Sequence, residues 1–219
     1  MAELVFHTGP MDCGKSTLAL QMDYTQSAHG RRGRLFTRQD RSGKAAVTPR
    51  LGLAHEAFEV DDEFDFWTFV IRELTSGKRV DYLICDEAQF YSPEQVEQLA
   101  RIVDELQIDT YAFGILSDFR TKLFPGSQRL IELADRTETL PLGPLCWCGE
   151  RGTHNARTSG GEMITEGSQV AVGDTSGAGG EAEISYEVLC RQHHRRKVTK
   201  AKAKATLSPE PLPFDNDSW

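Results

Sequence analysis

No stretch of the chain holds the run of about 18 apolar residues that a membrane-crossing helix requires. A spanning segment is therefore excluded, and with a strand expected directly after Met1-Ala2-Glu3 there is no room for a signal peptide, so a soluble, cytoplasmic protein is expected. Net positive charge is missing too. The 33 acidic residues outnumber the 25 basic ones, for a formal charge of −8, which argues against a general nucleic-acid binder. A paired cysteine framework is the third absence, since five cysteines are an odd number. Cys13 and Cys85 fall inside expected core motifs, whereas Cys146, Cys148 and Cys190 come late, beside histidines; that distribution suggests reduced thiols and a metal.

What is present begins with Gly9-Pro10-Met11-Asp12-Cys13-Gly14-Lys15-Ser16, which fits G-x-x-x-x-G-K-[ST]. It follows the apolar run Leu4-Val5-Phe6 and precedes the helical-looking Leu18 to Met22. A strand feeding such a loop into a helix N-terminus points several backbone N–H groups and the positive helix end at one anion. Gly9 and Gly14 permit the tight turn, Lys15 can reach the β- and γ-phosphates, and the Ser16 hydroxyl can ligate Mg²⁺. These eight residues are the expected binding segment for a nucleoside triphosphate.

The second motif is Asp86-Glu87-Ala88-Gln89, at the end of the apolar run Val80 to Cys85. In an open parallel sheet, ligands bind at the carboxyl ends of strands, which puts these acids beside the phosphate loop. Asp86, with Gln89, is assigned to the donor and Mg²⁺ side. Glu87 is then free to accept a proton from an attacking hydroxyl or water.

Strands are also expected at Arg34–Thr37 and Thr110–Ile115, and a helix over Glu94–Leu106, introduced by Ser92-Pro93 and carrying apolar residues at Val96, Leu99, Ile102, Val103 and Leu106. Alternating strands and helices give an α/β fold: a P-loop parallel sheet covered by helices, spanning 1–142. Arg38 to Ala57 has no clean period and is expected to be a long loop. After Pro141 Gly, Thr and Ser become frequent, so 143–194 is expected to be a second, small domain, with a short strand at Ser168–Gly173 and a flexible tip at Thr175–Gly180. The basic, then Pro- and Asp-rich stretch 195–219 is expected to be a disordered tail.

Gly9-Pro10-Met11, Asp86 to Phe90, Ser117 to Phe124, and Tyr186 to His193 together resemble the type II thymidine kinases, over residues 4 to 194. The resemblance implies a RecA-like core, a zinc-bearing lasso that closes over the nucleoside, a homotetramer, ATP with Mg²⁺ as donor and thymidine as acceptor, with deoxyuridine as a second substrate and feedback inhibition by thymidine triphosphate. It casts Glu87 as the general base on the 5′-hydroxyl. Met11, Phe90, Phe119 and Phe124 are cast as the walls of the base pocket, although phenylalanines in such places can equally be core. In the lasso, backbone groups of Gln169, Val170, Ala171, Val172 and Gly173 are placed against the polar edge of thymine, with Tyr186 supporting the nucleoside.

Cys146, Cys148, Cys190 and His193 supply four ligands suited to a tetrahedral structural Zn²⁺. The first pair is C-x-C where the family often has C-x-x-C, and His194 is an alternative fourth ligand. In the long loop Arg41 matches the family's arginine, but Gln39 stands where an acid is usual; Arg157 is a further phosphate candidate. The reading is a thymidine kinase without membrane or nucleic-acid partners. Its rivals are a nucleic-acid-stimulated P-loop ATPase, because Asp86 to Gln89 also resembles a helicase box, and a non-catalytic nucleotide switch.

Overall fold

The computed structural model describes residues 1–38, 46–47, 55–169 and 184–206. Its first layer is a six-stranded sheet, parallel throughout, in the order β5-β2-β6-β7-β1-β8. These strands are β1 (Leu4–Thr8), β2 (Gly33–Thr37), β5 (Phe58–Glu59), β6 (Tyr82–Cys85), β7 (Asp109–Gly114) and β8 (Arg136–Thr139). Every residue of β1 and β6 is buried, which is why they read as continuous apolar runs rather than as alternations. The edge strand β8 is polar and exposed along its length, so hydropathy gives no sign of it.

Helices cover both faces: α1 (Lys15–Ala28), α2 (Phe66–Thr75), α3 (Pro93–Leu106) and α4 (Pro125–Leu133). The start of α3 is fixed by a capping box between Ser92 and Gln95, with Pro93 in the first turn. Its apolar stripe puts Val96, Leu99 and Ile102 wholly out of water, each stabilising the fold by about 1.5–3 kcal/mol. Asp65 caps α2 by accepting the Thr68 N–H at 2.6 Å. Phe66 and Phe69 of that helix then meet Phe36 of β2 edge-to-face, at centroid distances of 5.1 and 5.3 Å.

A two-stranded ribbon, β3 (Ala46–Val47) with β4 (His55–Glu56), interrupts the expected long loop. The rest of that loop, including Gln39 and Arg41, lies outside the described residues. Past Leu140 the chain builds a separate antiparallel sheet in the order β10-β9-β11, from β9 (His154–Ser159), β10 (Glu162–Ile164) and β11 (Ile184–Leu189). The expected strand at Ser168–Gly173 and the tip at Thr175–Gly180 lie outside the described residues from Val170 onward.

The tail differs from expectation as far as residue 206. Instead of disorder from Arg195, α5 (Arg191–Arg196) is followed by α6 (Lys200–Thr206). Thr199 anchors the second helix: its hydroxyl donates to the Gly161 carbonyl at 2.6 Å and accepts the Lys202 N–H at 3.1 Å, while the Lys200 N–H donates to the Glu187 carboxylate at 3.1 Å. Ala203 is buried. Docking through one methyl group and backbone caps leaves no apolar period for sequence analysis to find.

Candidate functional site

Loop 9–14 leaves the carboxyl end of β1 and turns into α1 through Gly14, whose φ of 87° is the left-handed conformation that favours glycine. Asp12 shares that conformation at φ 62°. The buried Lys15 ammonium curls back along the loop, donating to the Pro10 carbonyl at 2.8 Å and the Gly9 carbonyl at 3.4 Å. Gly9 is required by a close approach: a Cβ there would sit 2.6 Å from the Cys13 sulfur. The cradle is thus shaped by glycine at both ends and strapped by its own lysine.

Asp86 follows β6 and is almost wholly buried. Ser16 and Lys15 of the phosphate loop both act electrostatically on its carboxyl, so the two motifs are coupled. Burial, and then the neighbouring Glu87 carboxylate, push the Asp86 carboxyl up to about 6, against the opposing pull of Ser16, the Glu87 N–H and Lys15. Glu87 has φ 54°, a strained setting for a non-glycine residue and one that clusters at functional sites. It is half-buried, and its carboxylate accepts a hydrogen bond from the Gln89 side-chain amide. The carbonyl of that amide accepts the Ile115 N–H at 3.2 Å, so Gln89 braces Glu87 against the end of β7 rather than facing the phosphate loop.

Two glycines hold this turn in place by having no side chain. A Cβ on Gly114 would lie 2.7 Å from the Gln89 amide oxygen. One on Gly126 would lie 2.6, 2.7 and 2.9 Å from the carbonyl oxygens of Ala88, Tyr91 and Gln89. The first turn of α4 therefore packs straight onto the backbone that carries Glu87.

The aromatic residues fall into two groups. Phe90 and Phe124 meet edge-to-face with centroids 5.5 Å apart. Phe119 is buried beneath the Arg157 guanidinium, which lies 4.0 Å from its ring centroid. Arg157 is itself buried, and donates to the Tyr186 hydroxyl at 3.1 Å, the Ser168 carbonyl at 2.9 Å and the Gln169 carbonyl at 3.1 Å. This corrects its expected role: a guanidinium committed to a tyrosine and two carbonyls organises the base of the lasso, and is not presented to phosphate. Gln169 reaches across, its amide donating to the Leu123 carbonyl at 3.2 Å. Val170, Ala171, Val172 and Gly173 lie outside the described residues.

Cys146, Cys148, Cys190 and His193 bring their ligand atoms within 4.8 Å of one another. The His193 Nδ1 is 3.5 Å from the Cys146 sulfur and 3.4 Å from that of Cys190. Three thiols and an imidazole converging in this way could hold a metal ion, and the donor set suits zinc. Trp147 lies over the His193 ring at 4.1 Å and donates to the Val198 carbonyl at 3.0 Å, fixing the ligand from behind. His194 is no ligand: its Nε2 meets the Phe119 carbonyl at 3.0 Å.

Two residues that sequence reasoning passed over complete the site. Asn155, buried on β9, accepts the Met11 N–H at 2.8 Å and donates to the Ser117 carbonyl at 3.4 Å, tying the phosphate loop to the second sheet. Nothing in the sequence around it marks that contact. Asp118 accepts the N–H groups of Arg120 and Lys122 at 2.8 and 2.9 Å and pairs with the Arg120 guanidinium, folding 117–123 into a tight loop. An aspartate satisfying the backbone two residues on is a turn signal, and was available in the sequence.

A family model described as thymidine kinase matches residues 2–194. The thymidine kinase of Cutibacterium acnes is 60% identical over 215 residues, covering 98% of each chain. That of Streptomyces coelicolor is 59% identical, covering 97% of this chain and 98% of the relative. The more distant thymidine kinase of Lactobacillus johnsonii keeps 37% identity over 89% of this chain and 96% of its own. With the family model matching residues 2–194 and relatives of this identity covering nearly the whole chain, the chain belongs to the thymidine kinase family.

Proposed function

We propose that the protein transfers the γ-phosphoryl group of ATP to the 5′-oxygen of thymidine, with deoxyuridine as a second substrate. The 5′-oxygen bonds to the γ-phosphorus as the bond from that phosphorus to the β,γ-bridging oxygen breaks, ADP leaves, and the hydroxyl proton passes to Glu87. The observation that carries the reading is the setting of Glu87: strained, braced by Gln89, and adjacent to a buried Asp86 whose carboxyl feels Ser16 and Lys15 of the phosphate loop. A carboxylate so held loses little freedom when a substrate hydroxyl docks, and that preorganisation is what a general base needs.

Lys15 and the loop N–H groups neutralise donor phosphates, and Ser16 with Asp86 would hold Mg²⁺. That ion would supply positive charge against the charge developing on the donor phosphates. Phe90, Phe119 and Phe124 with Met11 would enclose the base, and the lasso backbone from Gln169 to Gly173, carried on the Arg157 and Tyr186 contacts, would read its polar edge. Cys146, Cys148, Cys190 and His193 would hold a structural Zn²⁺, which fixes the small domain as it folds. A homotetramer in the cytoplasm belongs to the same reading.

ADP release with thymidine, with single-stranded DNA and with neither tests it. Release only with thymidine is the expected result. Stimulation by DNA alone would mean a nucleic-acid-stimulated ATPase, and no release in any arm would mean a nucleotide switch.

A further inference from the structure

Beside Phe119, a cleft of about 400 Å³ opens between loop 117–123, the β9–β10 hairpin and α5. Its rim carries four permanently cationic side chains from two separate segments: Arg120, Arg191, Arg195 and Lys197. No carboxylate among the described residues lines it. Arg120 is neutralised by Asp118 at 2.9 Å. Arg191, Arg195 and Lys197 make no ion pair among the described residues. The floor is different: the His154 and His194 rings stand 5.1 Å apart beside Met163 and Phe119.

Like charges gathered around a concave, partly apolar floor repel one another and focus a positive potential into the cleft. In a chain of net charge −8 this concentration is out of keeping with the rest of the molecule. A single exposed basic helix face needs no explanation, since water solvates it. Here, however, the three unpaired cations of α5 and its C-terminal cap line one open cleft together with the Asp118-paired Arg120 of loop 117–123, and its volume lies within the range of small-ligand sites. Guanidinium forks match phosphate oxygens in pairs.

We propose that this cleft binds the polyphosphate group of a small ligand, either a nucleoside di- or triphosphate or an inorganic polyphosphate. No residue of the phosphate loop lines it. The rim holds the phosphate charge, and in the nucleotide case the imidazole and Met163 floor takes the base.

Calorimetric titration of the full chain with inorganic tripolyphosphate tests the proposal. Two sites per chain are expected, one lost in Lys15→Ala and the other weakened by at least about tenfold in Arg191→Gln/Arg195→Gln. Because Arg191 adjoins a metal ligand, zinc content is measured alongside, and Arg195→Gln alone should weaken the same site severalfold with the metal retained. A single site that depends only on Lys15, or a second site indifferent to both arginines, overturns the proposal, as does tighter binding of single-stranded DNA than of tripolyphosphate through these arginines. A non-hydrolysable ATP analogue separates the two ligand sources. Tighter binding than tripolyphosphate at the arginine-dependent site assigns a nucleotide, and equal or weaker binding assigns the phosphate chain alone.

Discussion

The two sheets of this molecule are stabilised in different ways. The parallel sheet rests on buried Phe, Leu, Ile and Val sandwiched between helices, and its site residues sit on strand ends that this core fixes. The β9–β11 sheet has only a small apolar cluster, Cys146, Ala156 and Leu189, and buries polar groups instead: Asn155, Arg157, Thr158 and His194. A domain that small lacks the apolar area to order itself by burial alone, so the Arg157 network, and a metal on the Cys146-Cys148-Cys190-His193 cluster if one binds, would carry the burden. The proposed function then puts donor chemistry on the rigid part, and nucleoside recognition on the part whose order depends on a few specific bonds.

The comparison breaks most visibly at Glu87. Glu87→Gln keeps size and shape but cannot accept the 5′-hydroxyl proton, so single-turnover phosphorylation of thymidine should slow by about 10²–10⁴. Affinities for ATP and thymidine, measured directly, should change little, because neither domain's binding groups are touched. Near-normal turnover would move the base elsewhere.

Gly126→Ala probes the rigid side. Alanine ordinarily favours a helix over glycine, but here its methyl group would enter three carbonyl oxygens at 2.6–2.9 Å and push the Glu87 turn aside. A net destabilisation of about 1–3 kcal/mol in urea unfolding is expected, with a loss of turnover that exceeds the loss of ATP affinity. A more stable variant would mean the turn yields without cost.

Asp86→Asn should have the opposite sign on stability. The carboxyl has its ionisation point raised on folding, to about 6, so the proton is bound more tightly in the native state. Its favourable contribution is complete below the unfolded value of about 4 and is lost as pH rises through about 6. In metal-free, nucleotide-free buffer the asparagine variant should therefore gain on the parent between those limits and stay ahead by about 1–3 kcal/mol at pH 7, while losing activity. A parent that melts above the variant at pH 7 would contradict this.

How much was legible in the sequence follows the same division. The phosphate loop, the Asp86-Glu87 pair and helix α3 announce themselves because backbone geometry demands glycine at fixed spacing, and because burial on both faces demands apolar runs. The cysteine cluster was legible because few residue types can ligate zinc. Asn155 and the true role of Arg157 were not, since a buried polar side chain is recognisable only through partners far away in sequence: Met11 is 144 positions from Asn155, and Tyr186 is 29 from Arg157. Strand β8 and helix α6 stayed hidden for a related reason. Both attach by backbone hydrogen bonds and small residues, leaving no hydrophobic period.

The smallest effect is expected from the end of the chain. Removing residues 200–219 deletes α6, with its Glu187 contact and the buried Ala203, and should loosen the second sheet enough to raise the thymidine KM a fewfold while leaving that of ATP unchanged. An equal rise in both would mean that α6 supports the core.

The proposed division of labour is tested most directly by measuring ATP and thymidine binding to the same protein loaded with zinc and after chelator treatment, or in Cys190→Ser. The account predicts that ATP affinity survives within about threefold, because the loop is built by the parallel sheet, and that thymidine binding falls by at least about tenfold as the lasso loses its anchor. Loss of both together, or thymidine binding that persists without the metal, would contradict it.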